Sequence, residues 1–393
     1  MRLILIANPG DKRVTLRQAA RARAGLPPAE VVAYADLLAG RTRLEARVPA
    51  GSAVRFESPG RDWDVERLFV AAGAEVPDDR PAAERIAAAA ALRLEFDRGR
   101  LRFLRQWYLG WRRMLAEWDA ELAGLQPDRP HVRLNHPGEI AVMFDKPACI
   151  RRFAEAGIPV PEPLGGDPRD FAELRDLMFR RNMLRVFVKP SHGSSAAGAT
   201  ALALHPAGDA VAYTTVESVR EAGRLRFYSS RRVRRLDRPR AIAPVVDHLL
   251  AEGAQVERWI PKARHAGRGL DLRVVVIGGR ATHAVVRLSR TPMTNLHLLN
   301  DRAALADLGD ELPAERWARI RAACEAAAGR FPGTLAAGVD VLPTAGFRRH
   351  AVLEINAFGD LLPGAADIHG QGGDTYDWQT RAEGELACAE AAS

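Results

Sequence analysis

Three oxygen-bearing side chains near the end of the sequence could together hold a metal ion. Asp340 lies in the apolar run Gly338–Leu342, and Glu354 and Asn356 lie in the apolar run Ala351–Asn356. Because side chains alternate along a strand, Glu354 and Asn356 share a face, and a hairpin in the simplest register brings Asp340 opposite them. Mg²⁺ prefers such carboxylate and amide oxygens. The apolar neighbours make uncompensated charge costly, so the pattern favours a magnesium site over a hairpin with solvated acids.

A lysine followed by small residues forms a second candidate site, in the stretch Arg185–Gly198. A β-branched and aromatic run ends at Lys189, and the proline after it prevents the strand from continuing as a central one. Small residues let backbone N–H groups close on an anion beside the ammonium group. They include Ser191, Gly193, Ser194 and Ser195. The lysine precedes the glycines, which excludes a Walker A loop. Alone, such a loop is more often a surface turn, so the phosphate interpretation depends on the rest of the chain.

Two arginines interrupt another apolar hairpin. The runs Asp271–Ile277 and Ala281–Leu288 flank a Gly-Gly pair, which is typical of a β-hairpin, and Arg273 and Arg287 lie within them. A buried arginine needs an anionic partner, because an unpaired charge is costly away from water. The sequence therefore predicts an anion or carboxylate beside this hairpin.

The elements that would position these residues change character along the chain. The first 80 residues or so read as short α/β units of Rossmann-like type, with strands at Val31–Leu38 and Ala53–Phe56. In Pro81–Leu122 the spacing of leucines and aromatic residues predicts one or two amphipathic helices, whose aromatic stripe is more typical of core than of a base-stacking surface. A further helix is expected in Glu139–Glu162, with Lys146 on its first turns.

Composition limits the class of protein. A chain of 393 residues is long enough for two or three domains. Its three cysteines form no CxxC pair, which argues against a disulfide framework or a zinc site and predicts a cytoplasmic, reducing environment. The N-terminal apolar stretch is too short for a signal-peptide core or a membrane span, so no membrane partner is expected.

The net charge of +8 could indicate a nucleic-acid partner, but arginine is spread through the whole chain as a compositional bias. One cluster stands out in Arg224–Arg240, where Arg231, Arg232, Arg234 and Arg235 lie close together. A solvated, twisted hairpin and a surface that binds an acidic partner or phosphate are both consistent with this segment. Nucleic acid is therefore not the favoured partner.

A set of motifs in chain order resembles the ATP-grasp superfamily, and is most similar to its RimK-like branch of glutamate-adding ligases, known from bacteria. The motifs are Asp145-Lys146, GIPVP, Lys189 with its Gly/Ser loop, VERWI, DLR, VVR, TNLH, GVD and LEIN. The resemblance covers roughly residues 131–365. It implies an α/β (α+β) ATP-grasp fold, in which a Rossmann-like N-terminal domain (1–134) precedes two α+β subdomains (135–254 and 255–393) that clamp ATP between them.

For the nucleotide, the resemblance implies roles for five parts of the chain. Lys146 and Lys189 would contact the α- and β-phosphates from the central subdomain. The loop 191–198 would close over the phosphates as a lid. Glu257 and Trp259, in a hinge-like strand, would offer backbone C=O and N–H groups to the adenine edge.

For the metal and the transferred phosphate, the resemblance implies a second set of roles. Asp340, Glu354 and Asn356 would hold one or two Mg²⁺ ions, with Mn²⁺ as an alternative. Arg273 and Arg287 would be the catalytic cations near the transferred phosphate, and Asn295 would lie beside the metals.

The activity implied is an ATP-dependent ligase that activates a small-molecule or peptide carboxylate as an acylphosphate, which an amine or thiol then attacks. A kinase with the same nucleotide site and a binding module without catalysis are the alternatives, and the complete triplet argues against the second. Two features differ from the family pattern: Ala196 and Ala197 stand where many relatives have glycines, and Arg224–Arg240 has no counterpart. His192, within the lid, is expected to be exposed.

Overall fold

Three β-sheets follow one another along the chain. The computed structural model describes residues 1–60, 62–78, 84–359, 362, 365 and 367–391, the last five for their backbone only. The strands are β1 (Arg2–Ala7), β2 (Glu30–Ala33), β3 (Ser52–Phe56), β4 (His131–Arg133), β5 (Arg185–Pro190), β6 (Thr200–Leu204), β7 (Ala210–Glu221), β8 (Arg224–Leu236), β9 (Ala254–Arg258), β10 (Arg264–His265), β11 (Arg268–Ile277), β12 (Arg280–Ser289), β13 (Asp301–Ala303), β14 (Ala336–Pro343) and β15 (His350–Asn356). The α-helices are α1 (Lys12–Arg23), α2 (Tyr34–Leu38), α3 (Trp63–Ala72), α4 (Ala88–Ala91), α5 (Leu104–Leu125), α6 (Pro137–Met143), α7 (Lys146–Glu155), α8 (Phe171–Arg180), α9 (Pro239–Ala251), α10 (Ala314–Ala328) and α11 (Thr375–Ala391).

The first sheet is parallel, with strand order β2-β1-β3-β4. Alternate residues of β1 pack in opposite directions: Ile4 and Ile6 join the core that contains α5, whereas Leu3 and Leu5 pack on the other face. Both faces of the sheet are therefore covered, as expected for a Rossmann-like domain.

The predicted strand Val31–Leu38 is only half right. Strand β2 ends at Ala33, and the chain then turns into α2, where Tyr34 is fully buried and donates its hydroxyl to the carbonyl of Glu57 at 2.6 Å. The β-branched and aromatic composition favoured a strand, but the burial of Tyr34 against α3 and α5 determines the conformation.

The aromatic stripe on α5 is buried, which confirms the prediction of core. Trp111, Trp118 and Tyr108 are at most 4% exposed. Trp111 packs edge-to-face on Phe69 of α3, with ring centroids 5.0 Å apart and an interplanar angle of 82°. This cluster fixes α5 across the first sheet.

Two helices, α4 and α5, lie in the segment Pro81–Leu122, for which one or two were predicted. Residues 92–103 are irregular between α4 and α5, and residues 79–83 lie outside the described part of the chain. Phe103 precedes α5 with a left-handed φ of 57°, and its side chain cannot cap the helix. Glu252, just after α9, supplies the cap, since its carboxylate accepts from the N–H groups of Phe103 at 3.1 Å and Leu104 at 3.0 Å. The start of α5 is thereby tied to the central subdomain.

The second sheet is antiparallel, with strand order β8-β7-β6-β5-β9. Helices α8 and α9 cover one face and form a separate core, while Phe187 and Ala201 lie on the other face. Strand β9 pairs with β5, with Glu257 opposite Phe187. The predicted boundary between residues 254 and 255 would cut β9 from its sheet, so we place the boundary after Arg258.

The third sheet is also antiparallel, with strand order β13-β12-β11-β14-β15 and β10 beside β11. The predicted hairpins at 271–288 and 338–356 are both present. Val339 and Val352 face the same core as α5, so the first and third sheets share one hydrophobic core. The second sheet has its own.

Two helices, rather than the one predicted, occupy the segment 137–155. Asp145 ends the first and caps the second, and Pro147 takes the first turn of α7, where its missing N–H costs nothing. On α7, Phe153 packs on Phe331, which belongs to the core of the third sheet. The sequence predicted that Lys146 belongs to the central subdomain. This prediction is wrong, because Lys146 lies on a helix that packs in the core of the third sheet.

No helix in the described part of the chain has the length and apolar character needed to cross a membrane. Cys149 and Cys324 are free and buried, and the side chain of Cys388 lies outside the described residues. For the two described cysteines, the prediction of no disulfide is confirmed.

Helices α3 and α5 cross closely at Gly73 and Gly110, where a Cβ atom would collide with backbone atoms of the facing helix. A methyl group at Gly110 would lie 1.9 Å from the carbonyl oxygen of Phe69, whereas one at Gly124, on the same helix, meets nothing within 4 Å. We expect Gly110→Ala to lower the free energy of unfolding by more than about 3 kcal/mol, because backbone atoms cannot move aside. Gly124→Ala, the matched control, should raise it by up to about 1 kcal/mol. Urea unfolding followed by tryptophan fluorescence measures both; equal midpoints for the two variants would contradict the close crossing.

Candidate active site

A narrow cleft lies between the second and third sheets. Its cavity of about 110 Å³ is lined by the loop after β5, by β9 and by side chains of β11, β12, β14 and β15. Typical small-molecule sites measure about 300 to 1,000 Å³. In this structure the cleft is therefore smaller than such sites.

Lys189 lies at the end of β5, as predicted, and lines the cleft. Its ammonium group forms an ion pair with the carboxylate of Glu257, which is 1% exposed, on the neighbouring strand. Burial opposes the charge, but the pairing with Glu257 raises the pKa of Lys189 above its ordinary value. The side chain of Glu257, which the sequence prediction considered less important than its backbone, thus holds the lysine in its charged form.

Lys146 faces the same cleft from the first turn of α7. Its ammonium group donates to the carbonyl of Gly193, and its backbone N–H donates to the carbonyl of Ser191 at 3.1 Å. Burial and the nearby charge of Lys189 lower the pKa of Lys146, while Glu354 raises it. Lys146 therefore connects the loop 191–198 to the third sheet's core. We call this loop the phosphate loop, after its predicted role.

The Gly/Ser loop presents some of its predicted residues to the cleft and hides one. Gly193, Ser194 and Ser195 line the cavity. Ser191 is 3% exposed and its N–H donates to the carbonyl of Gly253 at 2.9 Å, so its predicted contact with phosphate is corrected to a structural role. Gly198 has a φ of 76°, and a methyl group there would lie 2.7 Å from Pro190, so this position requires glycine.

Ala196, which replaces a glycine of the family pattern, has a left-handed φ of 59°. A non-glycine residue in this region costs of order 1 to 2 kcal/mol. The loop therefore keeps the glycine-like conformation without the glycine.

The hinge residues predicted to bind adenine are placed differently. The N–H of Trp259 donates to the carbonyl of Arg185 at 2.9 Å, and the indole packs on Phe187 with ring centroids 5.6 Å apart. This N–H is thus used within the sheet, which corrects its expected role as a donor to adenine. Ile260 lines the cleft, and among the described residues its N–H has no hydrogen-bond partner. Ile260, and not Trp259, therefore has the free backbone N–H group in this described segment.

Lys262 follows the hinge and lines the cleft, and it was not predicted from the sequence. Its ammonium group donates to the hydroxyl of Thr294 at 2.6 Å, and Thr294 donates to Asp271. Burial lowers the pKa of Lys262 to about 8; Asp271 partly offsets this and Arg287 adds to it. A signal was available, since the chain has only four lysines among 57 basic residues and three of them line this cleft.

The predicted register of the acidic hairpin is confirmed. Asp340 lies directly opposite Glu354, next to a β-bulge, and Gly338 lies opposite Asn356. The amide of Asn356 donates to the carbonyl of Gly338 at 3.1 Å, which leaves its oxygen free of that contact. Asp340 is 3% exposed, and Glu354 is partly open to the cleft. The three predicted metal ligands are therefore brought together.

Arg273 and Arg287 have the anionic partners that the sequence required, and these are carboxylates of the protein. Asp340 accepts from Arg273 through both oxygens, one of them at 2.9 Å, and pairs with Arg287 at 3.0 Å. Arg287 also donates to Asp271 at 2.6 Å. These guanidinium groups hold the pKa of Asp340 well below its ordinary value, although burial raises it.

A divalent cation fits this donor set. Burial, followed by the charge of Asp340, raises the pKa of Glu354, and the charges of Lys146 and of Arg273, which lies 4.0 Å from Glu354, partly offset this. A carboxylate has about four lone-pair positions, and the arginines use three of those on Asp340. Among the described residues no cluster of three or more His, Cys, Asp or Glu side chains forms a complete cage, so an ion would need Asn356 and ligands from the nucleotide.

A second, wider cavity of about 490 Å³ adjoins the phosphate loop. Asp11 and Ser58 line it from the loops that follow β1 and β3, at the carboxyl ends of the parallel strands, where ligands bind in such sheets. Asn295 lines both cavities, in agreement with its expected place beside the metals. Arg302, opposite Arg287 in the sheet, adds a cation to the wider cavity.

His192 was expected to be exposed and is in fact 7% exposed. Its ring stacks on Tyr108 of α5 with centroids 3.7 Å apart, and one nitrogen lies 3.3 Å from Arg105. Burial lowers the pKa of His192 to about 3. The residue is therefore a neutral anchor of the phosphate loop on the first domain.

The basic segment forms the hairpin β7–β8, and part of its charge is neutralised. Arg234 pairs with Glu217, and Arg235 pairs with Asp237 at 2.6 Å. Arg231 and Arg232 are exposed, with no acidic partner among the described residues. All four arginines of the cluster are exposed, and two of them are paired with acidic residues.

Comparison with known proteins places this geometry in a fold. No protein-family model and no curated protein sequence matches the chain. Among solved structures, the chain is similar to the D-cycloserine synthetase DcsG, with 16% identity and a TM-score of 0.52 over 98% of this chain and 100% of that chain. It is also similar to the ATP-grasp ligase PsnB complexed with a minimal precursor, Mg and ADP, with 16% identity and a TM-score of 0.50 over 98% and 96% of the two chains.

The chain therefore has the ATP-grasp fold, with three successive sheets and the cleft between the last two. This confirms the fold class expected from the sequence.

The lowered pKa of Lys262 predicts how nucleotide affinity depends on pH. The ammonium group is charged below about pH 8 and attracts phosphate, so ATP affinity should fall as pH rises from about 7.5 to 9.5. One proton permits at most about a tenfold loss per pH unit. Titration calorimetry with MgATP measures the slope. Lys262→Met should bind weakly with a flat profile, and Lys12→Met, outside the cleft, should retain the slope; a Lys262→Met variant with the same slope would assign the effect to another group.

Proposed function

We propose that this protein is an ATP- and Mg²⁺-dependent ligase that activates a carboxylate as an acylphosphate for attack by an amine or thiol. The observation that carries the proposal is the meeting of two cavities at one phosphate loop, because Lys146, Gly193 and Ser194 line both. ATP in the cleft would present its terminal phosphate to a second substrate in the wider cavity. The similar structures support this class, since one is a synthetase and the other a ligase bound to Mg and ADP.

The reaction requires two displacements at this junction. A carboxylate oxygen of the substrate attacks the γ-phosphorus, the bond to the β-phosphate oxygen breaks, and ADP leaves. The amine or thiol then attacks the carbonyl carbon, inorganic phosphate leaves, and the nucleophile loses its proton to water. Lys146 and Lys189 would position the phosphates, while Arg273 and Arg287 would face the transferred group.

The metal ligands would be Asp340, Glu354 and Asn356, which hold Mg²⁺, or Mn²⁺ in its place. The bound ion neutralises phosphate charge. The arginines next to Asp340 keep that carboxylate ionised and ready to bind the metal. One ion or two would be held, according to how many phosphate oxygens complete the coordination.

Within the ATP-grasp ligases we place the chain near the RimK-like branch, on the motifs of Lys189 and Glu354. The substrates proposed are a small-molecule or peptide carboxylate and an amine or thiol acceptor. The buried, unpaired Cys149 and Cys324 suit a reducing cytoplasm.

A screen of carboxylate and amine or thiol pairs with MgATP tests the proposal directly. ADP, free phosphate and product mass are measured together. A ligase releases ADP and phosphate in equal amounts with a condensed product. ADP with a phosphorylated product and no free phosphate would show a kinase instead, and no turnover with tight nucleotide binding would show a binding module.

Loss of a charged side chain on either side of the cleft should abolish turnover. We expect Lys189→Ala or Glu354→Ala to reduce MgATP hydrolysis at least about a hundredfold, since each removes charge compensation at the phosphates. Lys12→Ala, an exposed lysine outside the cleft, is the matched control and should keep the wild-type rate. Steady-state ADP release measures all three.

Lys189→Ala also leaves the buried Glu257 without its cation, which threatens folding. The double variant Lys189→Met/Glu257→Gln removes both charges and should fold with a normal melting temperature, yet remain inactive. Wild-type turnover in both the double variant and Glu354→Ala would refute the phosphate and metal assignments.

For the basic hairpin, we propose binding of an acidic partner by the two arginines of the cluster that have no acidic partner among the described residues. Arg231→Ser/Arg232→Ser should weaken binding of a glutamate-rich peptide about tenfold or more at low salt, and less at high salt because the attraction is screened. Arg319→Ser/Arg321→Ser on α10 removes the same charge elsewhere and is the control. Fluorescence anisotropy of the labelled peptide gives both affinities; unchanged binding in the hairpin variant would leave β7–β8 as a solvated hairpin only.

A further inference from the structure

We propose that a third cavity, between the first domain and the phosphate loop, binds an aromatic group of the substrate whose reacting end lies in the active site. The cavity measures about 780 Å³ and lies between α3, the irregular segment 94–104, Trp107 of α5 and the loop after β5. This inference rests on the proposed ligase function and names the class of its substrate.

About half of the residues that line this cavity are aromatic or aliphatic, and the charged residues Asp62, Glu66, Asp97, Arg100 and Arg102 line it as well. Trp63 and Phe96 meet edge-to-face with centroids 5.7 Å apart, and Trp107 stacks on Phe144 with centroids 5.9 Å apart and an angle of 29°. Phe96 is 65% exposed at the edge of the cavity. Ring pairs of these kinds contribute about 0.5 to 1.5 kcal/mol beyond the area that they bury. These rings offer stacking and edge contacts to a planar group of the substrate.

The segment that forms the outer wall is fixed and does not merely cover the cavity. Ser229 of β8 donates its N–H to the carbonyl of Gly99 at 2.6 Å, and Leu101 donates to the carbonyl of Phe227 at 2.9 Å. The indole N–H of Trp63 donates to the carbonyl of Leu94 at 3.0 Å. The wall is thus tied to both the central sheet and the first domain, as in a preformed small-molecule site.

The cavity opens onto the active site. Four residues line both this cavity and the cavity of about 490 Å³ beside Glu354; they are Phe144, His192, Gly193 and Ser194. A molecule with its ring among the aromatic side chains would extend a carboxylate or amine to the phosphate loop. The volume suits one small molecule or one or two residues of a peptide, and not a folded partner.

The polar end of such a molecule would meet opposite charges. Arg13 and Arg302 line the wider cavity together with Asp11 and Glu66. A group that carries both an amine and a carboxylate matches these cations and acids. Aromatic amino acids, free or at the end of a peptide, combine this head with the apolar body.

Calorimetry with defined probes tests the inference in the presence of Mg²⁺ and a non-hydrolysable ATP analogue. The probes are L-phenylalanine and L-tryptophan, with L-alanine and L-glutamate as controls, each also as its N-acetyl and amide form. We expect the aromatic probes to bind at least about tenfold more tightly than the controls. The N-acetyl and amide forms show whether the carboxylate or the amine lies at the phosphate loop.

Variants locate the binding. Phe96→Ala should weaken the aromatic probes at least about fivefold and leave the affinity for the ATP analogue unchanged, whereas Phe96→Trp should retain binding. Phe179→Ala removes another exposed phenylalanine, on α8 away from the cavity, and is the matched control. Equal affinity for alanine and phenylalanine, or no effect of Phe96→Ala, overturns the inference. Loss of binding of the ATP analogue itself would instead indicate that the proposed function is wrong.

Discussion

The active site depends on one buried carboxylate held between two arginines. Asp340 is accessible to water over only 3% of its surface, and its charge could not stay there without cationic partners. Its contacts with Arg273 and Arg287 connect three neighbouring strands, β14, β11 and β12, through side chains as well as through the backbone. Asp340 lies directly opposite Glu354, and a bulge follows this pair. Strand pairing, side-chain charge and the positions of the proposed metal ligands are therefore fixed by the same contact, and a change in register would lose all three.

The division of the hydrophobic core explains how a narrow cleft could admit a nucleotide. The first and third sheets share one core, whereas the second sheet forms a separate core, mainly with α8 and α9. The second sheet meets the rest of the chain through polar contacts, such as Glu252 with the start of α5 and Lys146 with the phosphate loop, and through smaller apolar contacts, such as those of Leu101 and Met293. Polar contacts of this kind are exchanged for water at a smaller cost than a buried apolar interface. The boundary between the two cores thus runs along the cleft.

Local pattern was enough to predict the parts of this site that depend on strand periodicity. The two hairpins of the third sheet, the pairing of Asp340 with Glu354 and the position of Lys189 follow from the period of two and from turn residues. What failed depended on distant contacts. His192 looked exposed because nothing near it in sequence shows that Tyr108 stacks on its ring. Ser191 and Trp259 lost their predicted donors to carbonyl groups of Gly253 and Arg185, which only the folded sheet brings near. The break at Asp145 was readable, since an acid followed by Lys-Pro is a helix start.

The distribution of lysine shows why the cleft needed a particular cation. The chain uses arginine almost everywhere, yet Lys146, Lys189 and Lys262 line the cleft, and Lys12 is the single lysine outside it. A guanidinium group is broad, planar and always charged, whereas an ammonium group is compact and donates in three directions. In a cavity of about 110 Å³ the smaller group leaves room for phosphate oxygens. An ammonium group can also have a pKa near neutrality, as burial gives Lys262, so its charge can adjust when a triphosphate enters. In a sequence this rich in arginine, the position of the few lysines is itself a reason to propose a phosphate-binding site in this cleft.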